Sequence, residues 1–125
     1  MRDGKNVVLY VDDDPDMLDT IGMVVESAGY VYERAATGEE GLKKYKETAP
    51  DFVIVDLMME EVDAGTNLVK ELRAIGNKAP VYMLSSVGDQ LNMQAQYGDL
   101  GLTGVFQKPV NFDTLKATLK NKLGA

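Results

Sequence analysis

Val8-Leu-Tyr-Val-Asp-Asp-Asp14 is the stretch that decides how this chain folds: an apolar run breaks off into three consecutive carboxylates. Three more segments repeat the plan, with VIVDLMM around Asp56, VYMLSS ending at Ser86 and VFQKP ending at Pro109. Each is a short apolar run followed at once by a carboxylate, a hydroxyl or an amine. Runs of this length bounded by turn residues read as strands buried on both faces, as in a parallel sheet. In such sheets ligands gather beyond the carboxyl ends of the strands. Asp12, Asp13, Asp56, Ser85 and Lys108 are therefore expected on one edge, although they are scattered in sequence. Three carboxylates, a hydroxyl and an ammonium suit a divalent metal and a phosphoryl group.

Outward from these strands, helical and extended patterns alternate. Val7–Val11 reads as the first strand. Asp14-Pro15 then supplies an N-cap and a first-turn proline, and Met17, Leu18, Ile21, Val24 and Val25 follow at helical spacing up to Gly29. Tyr30–Arg34 is a more polar strand, expected near an edge. Thr37-Gly-Glu-Glu40 matches a capping box and opens a helix through Leu42 and Tyr45 to about Lys46. Asp51–Val55 reads as the central strand. A helix over about 65–75 carries Leu68, Val69, Leu72 and Ile75 on one face. Val81–Leu84 and Gly104–Gln107 are the remaining strands, with a poorly patterned helix over 88–98 between them. Asn111 caps a last helix bearing Leu115, Leu119 and Leu123. Five βα units in strict alternation imply an α/β fold: a five-stranded parallel sheet, right-handed crossovers and helices on both faces.

At 125 residues the chain is sized for one domain with one real core. A composition 45% apolar and 26% charged is that of a globular protein rather than a disordered one. No apolar run approaches the ~20 residues that span a bilayer, so no membrane partner is expected. The net charge is −7, without the basic face that nucleic-acid binding requires. Histidine is absent, which excludes histidine-based acid–base catalysis, His-bound metals and a phosphohistidine in this chain. Cysteine is absent too, which excludes disulfides and thiolate metal sites. A cytoplasmic protein fits these features.

The order Asp-Asp, Asp, Ser, Lys-Pro at these strand ends resembles the receiver domain of bacterial response regulators, a single-domain flavodoxin-like (βα)5 fold. The separations are 43 residues from Asp13 to Asp56, 29 more to Ser85 and 23 more to Lys108. The likeness covers nearly the whole chain, residues 1–125. The residues agree chemically. Asp56 ends the most apolar strand, so it is held rigidly and partly desolvated, as a carboxylate nucleophile must be. Asp12 and Asp13 crowd further negative charge beside it, which a cation has to neutralise. Oxygen-only donors suit Mg²⁺, which also takes phosphate oxygens.

The resemblance implies that Asp56 is the phosphoacceptor. It implies direct metal ligation by Asp13 and Asp56, ligation by Asp12 mainly through water, and a further contact from the Met58 backbone carbonyl. Lys108 would pair with Asp56 and then with a phosphoryl oxygen, Ser85 would donate a hydroxyl hydrogen bond to the phosphoryl group, and the Lys108–Pro109 bond would be cis. Met58 and Val87, two beyond Asp56 and two beyond Ser85, would flank the water that hydrolyses the acyl phosphate.

Three departures from the family mark this chain. Glu60 follows Met59 where proline is usual, and Asp63-Ala64-Gly65 carries one extra residue. The position three before the lysine is Val105 rather than an aromatic, with the ring displaced to Phe106; a one-residue shift turns a side chain to the other sheet face. The segment between Ser85 and Lys108 is one residue longer.

The expected function is Mg²⁺-dependent transfer of a phosphoryl group from a sensor histidine kinase to Asp56, switching a surface read by an output partner protein of unknown identity. Such a domain catalyses its own phosphorylation and dephosphorylation and is not a conventional enzyme. Because Met1 lies so close to the first strand, a single-domain regulator is favoured over an excised receiver. The alternative is a small phosphatase of the haloacid-dehalogenase type, whose Asp-x-Asp pattern Asp12-Asp13-Asp14 satisfies. Against it stand Asp16, where threonine or valine is usual, and the lack of a second acidic pair late in the chain.

Overall fold

A computed structural model describes residues 4–56, 64–85, 103–107 and 110–123. Five strands, β1 (Val7–Val11), β2 (Val31–Ala35), β3 (Phe52–Asp56), β4 (Val81–Ser85) and β5 (Gly104–Gln107), form one sheet in the order β2-β1-β3-β4-β5. Every neighbouring pair is parallel. Four helices are described: α1 (Pro15–Ser27), α2 (Gly38–Thr48), α3 (Ala64–Ala74) and α4 (Phe112–Leu123). The helix expected over 88–98 lies outside the described residues.

The local signals act as expected. Asp14 caps α1 by accepting the Asp16 N–H at 2.9 Å, with Pro15 in the first turn, where its missing N–H costs nothing. Thr37 Oγ1 accepts the Glu40 N–H at 3.0 Å, and Asn111 Oδ1 accepts the Thr114 N–H at 3.0 Å. Gly29 (φ 94°) turns the chain out of α1 in a conformation that favours glycine. Ala49 makes the same left-handed exit from α2 with φ 46°, although it carries a Cβ.

The sheet separates two apolar clusters, and alternation along each strand decides which side chain joins which. On one face Val8, Tyr10, Phe52, Ile54, Leu84 and Phe106 pack with Leu18, Ile21, Val24 and Val25 of α1 and with Leu115 and Leu119 of α4. On the other face Leu9, Val11, Val53, Val55, Val81 and Met83 pack with Leu68, Val69 and Leu72 of α3, flanked by Leu42 and Tyr45 of α2. Helices thus cover both faces.

On the first face an aromatic stack crosses three strands. The Phe52 and Tyr82 ring centroids are 5.1 Å apart, and those of Tyr82 and Phe106 are 4.8 Å apart. The Tyr82 ring lies across Gly104, where a Cβ would come within 2.6 Å of it.

Some expectations need correction. Ile75 is 48% exposed and stands just past the end of α3 instead of extending its apolar face. Strand β2 starts at Val31 rather than Tyr30, and β3 at Phe52 rather than Asp51. In β3 the reason is visible: the Asp51 carboxylate accepts the Val7 N–H at 2.8 Å, holding the start of β1 from the side.

Candidate cation site at the carboxyl edge

Strands β1 and β3 are neighbours with Val11 opposite Val55, so Asp12, just past the end of β1, and Asp56, the last residue of β3, stand side by side. Asp13 follows Asp12 directly. One carboxylate oxygen from each of Asp12, Asp13 and Asp56 lies within 4.8 Å of the others. Asp12 and Asp56 are 0% and 2% exposed, while Asp13 reaches solvent.

Both oxygens of Asp12 are held by protein donors. The Asp14 N–H donates to Oδ1 at 2.9 Å, and the hydroxyl of fully buried Tyr10 donates to Oδ2. Burial pushes the Asp12 carboxyl up to about 6, against the lowering effect of the Tyr10 and Asp14 hydrogen bonds, and the charge of Asp56 raises it further. Burial is also the main cause raising the Tyr10 phenol, which its bond to Asp12 then reinforces.

Two buried carboxylates side by side repel each other and have lost much of their hydration, a costly arrangement without a compensating charge. The donors are all hard oxygens. With ~2.1 Å metal–oxygen bonds an octahedral shell sets its oxygens ~3.0 Å apart at right angles and ~4.2 Å apart across it, so carboxylates within 4.8 Å of one another lie near enough to share one cation, directly or through water. The three residues therefore fit a small divalent cation.

Ser85 ends β4 opposite Gln107, so its backbone stands at the same sheet edge. Met58, Val87, Lys108 and Pro109 lie outside the described residues, as does the loop over 57–63. Asp14 serves as the helix cap. Phe106 is buried in the core against Tyr82, on the face that a shift of one residue requires. The residue of this cluster that sequence reasoning missed is Tyr10. A tyrosine inside an apolar run reads as core, yet two residues along a strand share a face, and that spacing connects it to Asp12.

A search of protein families matches residues 8–120 to the response regulator receiver domain. This chain belongs to that family. The transcriptional regulatory protein GlrR of Escherichia coli is 34% identical over 93% of this receiver, which spans only 26% of GlrR's own length. The chemotaxis protein CheY of Thermotoga maritima is 37% identical over 70% of this chain and 72% of its own. Among solved structures, the chemotaxis protein CheY4 of Vibrio cholerae superposes with a TM-score of 0.79 at 32% identity, covering 94% of this chain and 98% of its own. The receiver is thus a two-component signalling domain with the flavodoxin-like architecture, and the haloacid-dehalogenase alternative finds no support. Among the described residues no helix is long and apolar enough to cross a membrane.

Proposed function

We propose that this receiver takes a phosphoryl group onto Asp56 from a phosphohistidine of a sensor histidine kinase. The observation that carries the proposal is the Asp12–Asp13–Asp56 cluster, two of whose three carboxylates are buried. An oxygen of Asp56 attacks phosphorus as the phosphorus–nitrogen bond breaks. The imidazole leaves with the bonding electrons and takes up a proton, and an acyl phosphate remains. Asp13 and Asp56 would hold Mg²⁺ directly, Asp12 through water and Met58 through its backbone carbonyl, and the cation would supply charge neutralisation at the reacting oxygens. Asp56, ending a fully buried strand, is oriented before the donor arrives, and positioning is a large part of such a barrier.

In the same reading Lys108 holds a phosphoryl oxygen, Ser85 donates a hydroxyl hydrogen bond to it, and Pro109 follows a cis bond. Met58 and Val87 offer the hydrolytic water no hydrogen bond, which lengthens the life of the phosphorylated state. The domain takes in residues 1–125 with the full (βα)5 complement, works in the cytoplasm, and hands its state to an output protein. It does so without turning over a separate substrate as a conventional enzyme does.

With acetyl phosphate or phosphoramidate and Mg²⁺ the protein gains one hydroxylamine-labile phosphoryl group, about 80 Da by intact mass, and Asp56→Asn gains none. Labelling of Asp56→Asn to the wild-type level would rule Asp56 out as the acceptor.

A further inference from the structure

Tyr10, one residue before the end of β1, has no exposed surface and belongs to the cluster of Val8, Ile54, Leu18 and Ile21 on the α1 face of the sheet. Phenylalanine would fill nearly the same space, so apolar packing does not account for the hydroxyl. A buried hydroxyl needs a partner, and this one finds Oδ2 of Asp12, two residues along the same face. The Asp14 N–H occupies Oδ1 from the loop side.

A carboxylate has about four lone-pair directions. One on each oxygen is thus taken by a fixed protein donor, and others remain for the side shared with Asp13 and Asp56. The terminal torsion of aspartate is broad, so a single donor on Oδ1 leaves the plane of the group poorly defined. Two donors from rigid elements, one a ring packed inside the sheet, define it.

We propose that Tyr10 is a positioning residue for the cation: its phenol fixes the plane of the Asp12 carboxylate, so that the cation meets a site already ordered. This rests on the cation reading given above. Partners that orient a direct ligand are commonly worth ~10–100-fold in metal affinity, because a group ordered beforehand loses less freedom on binding. Asp12 acts through water, so the lower end applies to Tyr10. The same bond makes Tyr10 a reporter. The chain has six tyrosines and no tryptophan, so its near-ultraviolet spectrum is dominated by phenols. A cation drawing charge from Asp12 changes the acceptor that the Tyr10 phenol sees.

The test titrates Mg²⁺ into wild type, Tyr10→Phe and Tyr32→Phe, following both the dissociation constant and the tyrosine difference spectrum. Tyr32 is the control: its hydroxyl donates to the Leu18 carbonyl at 2.6 Å. Wild type and Tyr32→Phe should bind alike and show the tyrosine signal. Tyr10→Phe should bind about 10-fold more weakly and lose the signal, while the five other phenols stay silent. Equal affinity in wild type and Tyr10→Phe overturns the role of Tyr10 and leaves the cation site standing. Should Tyr10→Phe fold poorly, a Mg²⁺-saturable wild-type titration without any tyrosine change overturns it as well. Absence of Mg²⁺ binding by wild type instead overturns the cation reading, and this inference with it.

Discussion

Strand β3 carries an aspartate beside each of its ends, and the two have opposite surroundings. Asp51, just before the strand, is gripped by backbone: its carboxylate accepts the Val7 N–H at 2.8 Å and its own N–H donates to the Val7 carbonyl at 2.8 Å. Asp56, the last residue of the strand, is buried beside two further carboxylates. The rest of the amino edge follows Asp51. Asn77 accepts from the Tyr45 hydroxyl at 2.7 Å and from the Ala79 N–H at 3.0 Å, and Thr103 Oγ1 accepts the Val81 N–H at 3.2 Å. Polar groups at one edge are matched to backbone and hold the fold. At the other edge carboxylate faces carboxylate, an arrangement that suits a further cation. The same residue type meets backbone at one edge and other carboxylates at the other.

The sharpest way to break this contrast is to remove the structural aspartate. Asp51→Ala leaves the Val7 N–H without its acceptor, which costs about 1–3 kcal/mol of stability, read as a lower urea midpoint. Phosphoryl uptake by the folded fraction stays at the wild-type level. Lost uptake in a folded Asp51→Ala protein would mean that the two edges are not separable.

A comparable effect separates the edges by pH. Burial raises the Asp12 carboxyl to about 6, above the ordinary ~3.9 of an unfolded aspartate. The folded protein thus holds that proton more tightly than the unfolded chain. The resulting stabilisation is complete below the unfolded value and disappears as pH rises through about 6. Without divalent cations, wild type therefore loses on the order of 1–3 kcal/mol relative to Asp12→Asn between about pH 4 and pH 7.5, and Asp12→Asn is the more stable at the upper end. Parallel thermal midpoints for the two proteins across this range would contradict the assignment.

The smallest effect lies back at the amino edge. Ala49 leaves α2 with φ 46°, a conformation that glycine adopts without a Cβ penalty. Ala49→Gly should be neutral to stabilising by up to about 1 kcal/mol, after the greater freedom of glycine in the unfolded chain is deducted. It should leave Mg²⁺ affinity unchanged. A clear loss of stability would show that Ala49 is not strained there.

The strands were legible because four of the five are short apolar runs cut off by a polar group, and all five, the more polar β2 included, were found within a residue of their ends. Helix starts were equally plain, since Asp14, Thr37 and Asn111 cap by their own side chains. Part of what escaped depends on distance in sequence. That Phe52, Tyr82 and Phe106 stack follows only once β3, β4 and β5 lie side by side in register. The boundary of β3 moved because the Asp51 side chain is spent on a strand 44 positions earlier. Ile75 kept the helical spacing, but α3 had already ended. At the site, Asp12, Asp13 and Asp56 were legible because strand ends must converge in a parallel sheet. Tyr10 was not, because its ring satisfies the apolar pattern and conceals its hydroxyl.

The sheet order also bears on how the chain comes into being. The first strand made, β1, lies inside the sheet between β2 and β3. As the chain emerges, α1 and β2 follow next and can close one side of it early. The other side has no partner until residues 52–56 exist, with the whole of α2 made in between. Throughout that interval Val7-Val-Leu-Tyr-Val presents an open hydrogen-bonding edge with no charged residue along it, the kind of segment that pairs with other chains. Arrival of β3 is therefore the step that commits a nascent molecule to its own fold rather than to its neighbours.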